Sequence, residues 1–419
     1  PHPSPPPPDP VMATPPAPDN PSATKPMLAV VGGGVVPYRI HFHRRLTSET
    51  PEYRLVHFNT HHPKGEPWGI TQAPGLNIVQ CDRRAAPPRS ILLDLPHQWL
   101  VGSRVLRELS RGPVAGVVLN GYNHLAHLRV LHWCRQHRVP VLLNSDSNAY
   151  GDTRTGLARM IKNRLVRHFV DRVGAITVCG SLGKRYFERY GADPDRIFYS
   201  PYEPDYRLIQ DIPQSEVDAV AARFKLDPAR KRIVFCARLA EVKRPDLAVD
   251  AFAAIAHQRP DWDLLMIGDG VLRDFLRLRV ASDLRHRVLW AGFIPDQRVV
   301  SCLYRACHVM VLPSDYEPWA LVVNEAVAAG LAMVTSRVVG AAEELVQDGV
   351  NGRRFERGRR PDLRMALLEA TDPRRIADLR AGSAVVLARW RAQADPVTGL
   401  RSALACAAAG LRSPQGATP

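Results

Sequence analysis

The sequence predicts an α/β protein made of two doubly wound domains, each built on a parallel β-sheet. At 419 residues the chain is longer than one hydrophobic core normally supports, so two domains are expected. Short apolar runs alternate with amphipathic stretches, which is typical of a parallel sheet covered by helices on both faces. The alternation restarts after a proline-punctuated junction near the middle of the chain.

Seven β-rich runs in the first half predict the first sheet. Strands buried on both faces read as nearly continuous apolar segments, and helical stretches such as NHLAHLRVLHWCRQH and RTGLARMIKNRLVRHFVDR separate several of them. We therefore expect one domain over residues 27–205. The runs are MLAVV, YRLVHF, LNIVQC, AGVVLN, PVLLN, GAITVC and RIFYS.

A second set of runs predicts the second domain. Pro201, Pro204 and Pro213 mark the junction, after which RIVFCARL, WDLLMIGDG, RVLWAGF, HVMVLP and LAMVTSR follow in turn. We expect this domain over residues 206–385. Residues 386–419 are predicted to form a C-terminal helix and tail, and packing back onto the first domain is one arrangement open to them.

The N-terminal segment, the apolar runs and the cysteines together predict a cytoplasmic protein. Residues 1–26 are rich in proline, cannot bury enough apolar surface to fold, and do not read as a signal peptide. No apolar run approaches the roughly 18 to 20 residues that a membrane span needs. The seven cysteines are scattered without a C-x-x-C pair, so reduced thiols are expected.

The net charge of +15 suggests attraction to phosphorylated ligands, anionic lipid or nucleic acid. The basic residues are spread over many segments and do not form one block, so a generally arginine-rich composition is the competing explanation. The charge permits peripheral contact with an anionic membrane, such as the inner membrane face. We expect no nucleic-acid partner.

Two polar motifs follow strands of the first domain. Gly32, Gly33 and Gly34 end the first strand before a helix, where backbone amides and the helix N-terminus suit an anion; a tight structural turn is the alternative. Asp146 lies in VLLNSDSN, directly after another strand. It is a candidate for contact with a substrate hydroxyl or developing charge, with helix capping as the alternative. The glycines do not form a dinucleotide fingerprint, because Pro37 stands where its last glycine belongs.

Two motifs of the second domain suit a diphosphate. Arg238 leaves a strand and Lys243 follows five residues later, just before the helical segment RPDLAVDAF. Two fixed cations can neutralise a diphosphate, and arginine can bind two oxygens at once. A solvated basic loop is the alternative. Gly268 and Asp269, in MIGDG, end the next strand and would allow close backbone approach.

Two acids with seven residues between them form the most informative motif, PSDYEPWALVVNEAVAAG. Pro318, after Glu317, fits the first position of a helix that would run through Glu325 to Gly330. On such a helix the two acids lie about 12 Å apart along the axis. That is longer than the roughly 5 to 9.5 Å between glycosidase carboxyls, so the acids are expected to contact two ends of one ligand. A capping acid with a surface glutamate is the alternative.

These residues resemble the retaining GT-B glycosyltransferases of family 4. The resemblance covers residues 27–355 and is most specific over 231–355, where Glu317 and Glu325 match the E-x7-E element and Arg238 and Lys243 match the phosphate pair. It implies two Rossmann-like domains facing a cleft, with the acceptor on the first and the donor on the second. It further implies transfer of a sugar from a nucleotide-sugar donor to a glycan, lipid-linked or small-molecule acceptor, with retention of configuration.

By the same resemblance, Glu325 would bind the ribose hydroxyls, and Glu317 would lie near the donor sugar. Arg238 and Lys243 would hold the diphosphate, without a metal or a cofactor. Gly32 to Gly34 would approach the phosphates or the acceptor from the other domain.

Several residues depart from the family pattern. Ser145 and Asp146 stand where many members have a histidine, and Ala320 stands where glycine is common.

Arg39 either faces the cleft or lies on a helix surface. The histidine pairs of the first half, among them His124 and His127, are better explained as surface or capping residues than as metal ligands.

Two other functions compete with sugar transfer. One is a hydrolysing 2-epimerase that acts on the nucleotide-sugar itself. The other is a basic nucleic-acid or membrane-surface binder without catalysis, whose function would not depend on Glu317.

Overall fold

The computed structural model describes residues 25–61, 72–84 and 91–412, except the side chains of 91–93. The proline-rich segment, most of the histidine- and proline-rich loop after the second strand, and the last seven residues lie outside this range. The expectations for residues 1–24 therefore lie outside the described residues.

Seven parallel strands form the sheet of the first domain, in the order β3-β2-β1-β4-β5-β6-β7. All seven overlap the predicted runs, and four of them extend one residue beyond their run. The strands are β1 (Met27–Gly32), β2 (Arg54–Asn59), β3 (Ile78–Gln80), β4 (Val114–Asn120), β5 (Val141–Ser145), β6 (Ala175–Val178) and β7 (Ile197–Tyr199). The helices are α1 (Pro37–Glu49), α2 (Ile91–Leu109), α3 (Leu125–Gln136), α4 (Gly156–Val170) and α5 (Ser181–Glu188).

Six parallel strands form the second sheet, in the order β10-β9-β8-β11-β12-β13. The strands are β8 (Lys231–Cys236), β9 (Trp262–Ile267), β10 (Val288–Gly292), β11 (Val309–Leu312), β12 (Ala332–Ser336) and β13 (Gly352–Phe355). The helices are α6 (Arg207–Gln210), α7 (Gln214–Arg223), α8 (Pro245–Ile255), α9 (Arg273–Arg279), α10 (Gln297–Arg305), α11 (Leu321–Ala328), α12 (Ala342–Leu345), α13 (Arg360–Ala370) and α14 (Ile376–Gln393). The predicted fold of two doubly wound parallel-sheet domains is confirmed.

Each sheet is covered on both faces, which explains its apolar strands. In the first domain, helices α2 to α5 pack on one face and bury residues such as Val105, Val130 and Phe169. The opposite face is covered by α1 and by the last helix, α15 (Pro396–Arg412). In the second domain, α8 and α13 lie on one face, and α10, α11 and α14 lie on the other.

The chain crosses between the domains twice, and the two crossings are in contact. Residues 200–206 lead into the second domain, and residues 394–395 lead back to α15 on the first. The Ser200 hydroxyl donates to the Pro396 carbonyl at 2.9 Å. Arg45 bridges the two crossings, because its guanidinium pairs with Glu203 at 2.5 Å and with Asp395 at 2.7 Å. The expected boundary at 385/386 falls inside α14.

Helix α15 lies close to the sheet because a glycine faces the backbone there. A Cβ added at Gly399 would overlap the carbonyl oxygen of Tyr199. We expect Gly399→Ala to destabilise the protein by about 1 to 3 kcal/mol through overpacking, despite alanine's higher helix propensity. Gly410→Ala, on the same helix with nothing within 4 Å, is the control and should be neutral or stabilising. Unfolding midpoints that shift in the same direction for both variants would contradict this packing.

Among the described residues, no helix is long and apolar enough to cross a bilayer. All seven cysteines are free; Cys236 and Cys406 are half-buried and the other five are buried.

Candidate active site between the domains

An ion pair between a half-buried lysine and a buried glutamate is the centre of the candidate site. The Lys243 ammonium lies 2.6 Å from Oε2 of Glu317. The other carboxylate oxygen accepts a hydrogen bond from the Ser314 hydroxyl at 2.9 Å, and Glu317 is only 5% exposed. A buried carboxylate needs such partners, since an unpaired charge there would be strongly destabilising. Lys243, predicted to bind a diphosphate, is therefore in direct contact with Glu317, the first acid of the E-x7-E element.

The loop that carries Glu317 is not helical, so the expected helix start at Pro318 is wrong. Helix α11 begins at Leu321, after Ala320 in a left-handed conformation with φ of 77°. The backbone carbonyls before α11 accept hydrogen bonds from another loop. The Glu317 carbonyl accepts from the Gly340 amide at 3.2 Å, and the Trp319 carbonyl accepts from the Ala341 amide at 2.7 Å. The separation of about 12 Å along one helix axis therefore does not apply to the two glutamates.

Ala320 explains one departure from the family pattern noted above. A left-handed conformation is costly for a residue with a Cβ, which is why glycine is common at such a position. The hydrogen bonds of the neighbouring Glu317 and Trp319 carbonyls fix the path of the loop and so keep Ala320 in this conformation. Backbone strain of this kind is often found beside functional sites.

Glu325 is buried on the inner side of α11, with 6% exposure. Its Oε2 accepts a hydrogen bond from the Tyr304 hydroxyl of α10 at 3.2 Å. Burial raises the pKa of Glu325 to about 7, since the charged form loses its hydration. This burial excludes the alternative of an ordinary surface glutamate.

Arg238 lies at the surface beside two glycines that bring loops together. Its side chain is exposed and has no hydrogen bond or ion pair to any residue that the structure describes. A Cβ at Gly268, where φ is +126°, would overlap the Ala237 carbonyl, and one at Gly270 would overlap that of Leu239. The glycines therefore permit tight packing of the loop after β9 on the loop that presents Arg238.

The side chain of Asp269 makes only local contacts. Its carboxylate accepts from the Gly270 amide at 2.7 Å and pairs with Arg273 at 2.9 Å. The close backbone contact predicted for Gly268 is made with the Ala237 carbonyl of the neighbouring loop. Asp269 stabilises its own turn.

In the first domain, the glycine loop surrounds an arginine. The carbonyls of Gly33 and Gly34 accept from Arg39 at 3.4 and 3.2 Å, and the Gly33 carbonyl also bonds His57 at 2.9 Å. A Cβ at Gly32 would overlap Asn120. The loop is therefore a tightly packed turn, and Arg39 lies inside it instead of on an outer helix surface.

Asp146 lies near Arg39 and near the second domain. Burial raises the pKa of Asp146, and the Arg39 charge opposes that rise. Tyr316, the neighbour of Glu317, has its pKa raised to about 12 by burial and by the Asp146 charge. The side chain of Asn148, two residues after Asp146, donates to the carbonyls of Glu317 and Pro318 at 3.2 and 3.1 Å. Asp146 thus faces the Glu317 loop across the domain boundary.

Further contacts fix the two domains beside this site. The Ser181 amide at the start of α5 donates to Glu344 at 2.7 Å, and Arg185 bonds Glu343 at 2.8 Å. The Trp319 indole donates to the Tyr202 carbonyl at 3.0 Å.

Three histidines of the first domain, His43, His124 and His127, are packing or capping residues. His124 caps α3 by accepting the Ala126 amide at 3.2 Å. His127 and His43 are buried, so a surface position is wrong for them. Burial lowers the pKa of His124 to about 4 and that of His127 to about 3. Within the described part of the chain, no group of three or more histidines, cysteines and acids is arranged to hold a metal.

Sequence reasoning missed three residues that shape the site: Ser314, Tyr304 and Asn148. Asn148 stood inside a quoted motif, but only the fold shows that it reaches the second domain. Tyr304 is far from Glu325 in sequence, and an amphipathic helix gives no sign of which tyrosine meets an acid.

Comparison with known proteins points to glycosyltransferases. The sequence model of the family described as glycosyl transferases group 1 matches residues 218–372. The D-inositol 3-phosphate glycosyltransferase of Geodermatophilus obscurus is 30% identical over 415 residues, covering 83% of this chain and 84% of that protein. An uncharacterised glycosyltransferase of Methanocaldococcus jannaschii is 27% identical over 235 residues, covering 55% and 58%. The matches to this and two other curated glycosyltransferases span only 36% to 58% of their length.

Solved structures share the fold. HepE of Anabaena, in complex with UDP, superposes with a TM-score of 0.68 at 15% identity, covering 90% of this chain and 97% of that one. The sucrose-phosphate synthase of Thermosynechococcus elongatus gives 0.70 at 17% identity, covering 91% and 97%. The two parallel-sheet domains and these likenesses define the GT-B fold. Within that fold class, the chain belongs to the glycosyl transferases group 1 family.

Proposed function

We propose that the protein transfers a sugar from a nucleotide-diphosphate-sugar to a glycan, lipid-linked or small-molecule acceptor, with retention of anomeric configuration. The observation that carries this proposal is the contact between Lys243 and the buried carboxylate of Glu317, 2.6 Å apart. It places a cation suited to a departing phosphate next to an acid suited to a sugar. The E-x7-E match to family 4 and the UDP and UDP-glucose complexes of HepE support a nucleotide-sugar donor.

The proposed roles follow from charge and position. Arg238 and Lys243 bind the donor diphosphate, Glu325 accepts hydrogen bonds from the ribose hydroxyls, and Glu317 contacts the donor sugar. Gly268 and Asp269 support the donor side, while Gly32, Gly33 and Gly34 shape the opposite wall. Asp146 faces the acceptor hydroxyl.

In the proposed reaction, the bond between the anomeric carbon and the β-phosphate oxygen breaks, and its electron pair stays on the phosphate. The acceptor oxygen bonds to the anomeric carbon from the same face, and its proton passes to the departing phosphate oxygen or to Asp146. Lys243 and Arg238 stabilise the negative charge that develops on the diphosphate. With two fixed cations in place, the proposed mechanism requires no bound metal or cofactor.

A thermal-shift screen with UDP-, GDP- and ADP-sugars is the first test. A donor at 100 times its Kd should add about 2.7 kcal/mol of stability. The product formed with that donor should appear only with an acceptor, and the coupling constant of its anomeric proton should match that of the donor. Inositol 3-phosphate is a reasonable trial acceptor given the name of the Geodermatophilus relative. A changed sugar formed without acceptor would instead indicate a 2-epimerase.

Donor affinity should depend on pH through Glu325. Its pKa in the free protein is raised to about 7. A carboxylate is the better acceptor for ribose hydroxyls, so bound donor should lower this pKa and release a proton below about pH 7. The affinity for UDP-glucose, measured by calorimetry, should therefore rise with pH up to about 7 and then level off.

Glu325→Gln is the control for this pH dependence, because it keeps the shape and removes the titration. Its affinity should not change over the same range. An identical pH profile in both proteins would show that another group is responsible.

A further inference from the structure

The exposed apolar side chains of the first domain are confined to two helices and one turn. Among its described residues, every large hydrophobic side chain that is exposed lies on α2, on α4 or in the turn just before α4. On α4 these are Leu157, Met160 and Ile161, with 65%, 53% and 58% exposure. Single exposed apolar residues are ordinary, but a contiguous group indicates a contact surface.

The three apolar residues of α4 share one face with two arginines. Positions separated by three or four residues lie on the same side of a helix, so Leu157, Met160 and Ile161 form a group that Arg164 and Arg167 continue. Only the second half of the helix packs on the domain, through Val166, Phe169 and Val170. Residues 153–161 are all exposed. We call the five residues of the outer side the α4 face.

The charge of the α4 face is not neutralised by acids. Helix α4 contains no Asp or Glu, and Lys162 is its one cation paired with a described acid, Asp152 at 3.0 Å. Arg164 and Arg167 have no ion pair with any described residue. Helix α9 also exposes apolar side chains, but there Arg273 and Arg279 pair with Asp269 and Asp250 at 2.9 and 2.6 Å. The α4 arginines lie on a helix without acids, whereas α9 carries Asp274 and its remaining arginine, Arg277, lies over the Trp290 ring with 5.7 Å to the centroid.

The α4 face lies at the edge of the candidate site. A helix that follows a parallel strand begins at the carboxyl end of that strand, where the cleft is. The turn Ala149–Gly151 before α4 packs on Tyr316, since a Cβ at Gly151 would overlap that side chain. Helix α2 begins at the same edge and exposes Trp99, which has the Arg129 guanidinium 3.7 Å from its ring centroid.

We propose that the α4 face docks on an anionic lipid bilayer. Its apolar end would enter the region below the headgroups, while Arg164 and Arg167 pair with lipid phosphates, and Trp99 suits the interface. A second copy of the chain fits less well, because apposed α4 faces would bring unpaired arginines together. Docking would present the cleft to an acceptor held in the membrane. That consequence rests on the proposed function, whereas lipid binding does not.

Co-sedimentation with lipid vesicles tests this proposal. The full chain should sediment with vesicles of mixed phosphatidylglycerol and phosphatidylcholine, should bind far less to phosphatidylcholine alone, and should release as salt is added. Two variants should each lower the partition coefficient at least about tenfold: the triple change Leu157→Ser, Met160→Ser, Ile161→Ser, and the double change Arg164→Glu, Arg167→Glu.

Matched variants in the second domain control for hydrophobicity and net charge. Met365→Ser with Val385→Ser removes exposed apolar side chains, and Arg364→Glu with Arg374→Glu changes the net charge equally. Both should sediment like the unmodified chain. Every variant should keep its unfolding midpoint, so that loss of lipid binding is not due to misfolding. Every variant should also keep its thermal shift with UDP-glucose, so that the result for lipid binding is independent of whether the proposed donor is correct.

Four results would overturn the proposal. The unmodified chain could fail to bind anionic vesicles, or it could bind neutral ones equally well. The controls could lose binding as much as the α4 variants. Finally, in the absence of lipid, the serine variant could convert a dimer into a monomer in analytical ultracentrifugation while vesicle binding stays unchanged, which would assign the surface to self-association.

Discussion

Replacing Lys243 with alanine is expected to lower kcat by a factor of about 10² to 10³. Its ammonium lies 2.6 Å from Glu317. In the proposed reaction it stabilises the charge that develops on the diphosphate, and a cation held in a largely dehydrated site stabilises such charge better than water does. Steady-state kinetics with the donor found by thermal shift would measure the loss.

The same substitution should also lower the stability of the donor-free protein. Glu317 is 5% exposed and would keep only its bond to Ser314, so about 1 to 3 kcal/mol should be lost. Lys231→Ala is the control: Lys231 pairs with Asp261 at 3.0 Å on the surface, at the other end of β8. It should change stability by less than about 0.5 kcal/mol and leave kcat unchanged. An unaltered kcat in Lys243→Ala would refute the proposed role.

The second large effect is expected for Glu317→Gln. The amide keeps the size of the side chain and an oxygen for Ser314, but it removes the charge that faces Lys243. We expect kcat to fall at least about 10²-fold, because the positive character of the anomeric carbon would lose a nearby carboxylate. Affinity for UDP should be retained or increased, because Lys243 would no longer be shared between Glu317 and the diphosphate.

This opposite behaviour of kcat and UDP affinity separates a role at the donor sugar from a structural role. Calorimetry with UDP and kinetics with the intact donor would measure the two quantities. Glu356→Gln, at a surface carboxylate paired with Arg337 at 3.0 Å, should change neither. If Glu317→Gln weakened UDP binding and lowered stability in parallel, the carboxylate would be acting mainly on the fold.

The fold was predictable wherever burial leaves a pattern in the sequence. Strands covered on both faces must be apolar throughout, so those of the first domain and all but one of the second could be recognised. The exception is β13, whose residues GRRF carry two arginines. It pairs only with β12 at the edge of its sheet, so its side chains need not be buried and its sequence resembles a loop.

The candidate site was predictable in its residue types and less so in its geometry. An acid inside the small-residue helix around Glu325 indicated burial, which the structure shows. The start of α11 at Leu321 was not predictable, because Pro318 suits a first helical turn. The backbone there is instead directed by the Gly340 amide, which donates to the Glu317 carbonyl, and by Asn148 of the other domain, which donates to the Pro318 carbonyl. Contacts between distant segments leave no local signal.

The double crossing of the chain restricts how the two halves can move relative to each other. A single linker would allow rotation in any direction, whereas two neighbouring tethers restrict the motion mainly to swinging about the line that joins them. Ser200 and Pro396 lie on that line, in direct contact at 2.9 Å. A swing about this axis would separate Asn148 from the Glu317 loop while leaving Arg45 in place, so substrate admission and product release would share one degree of freedom.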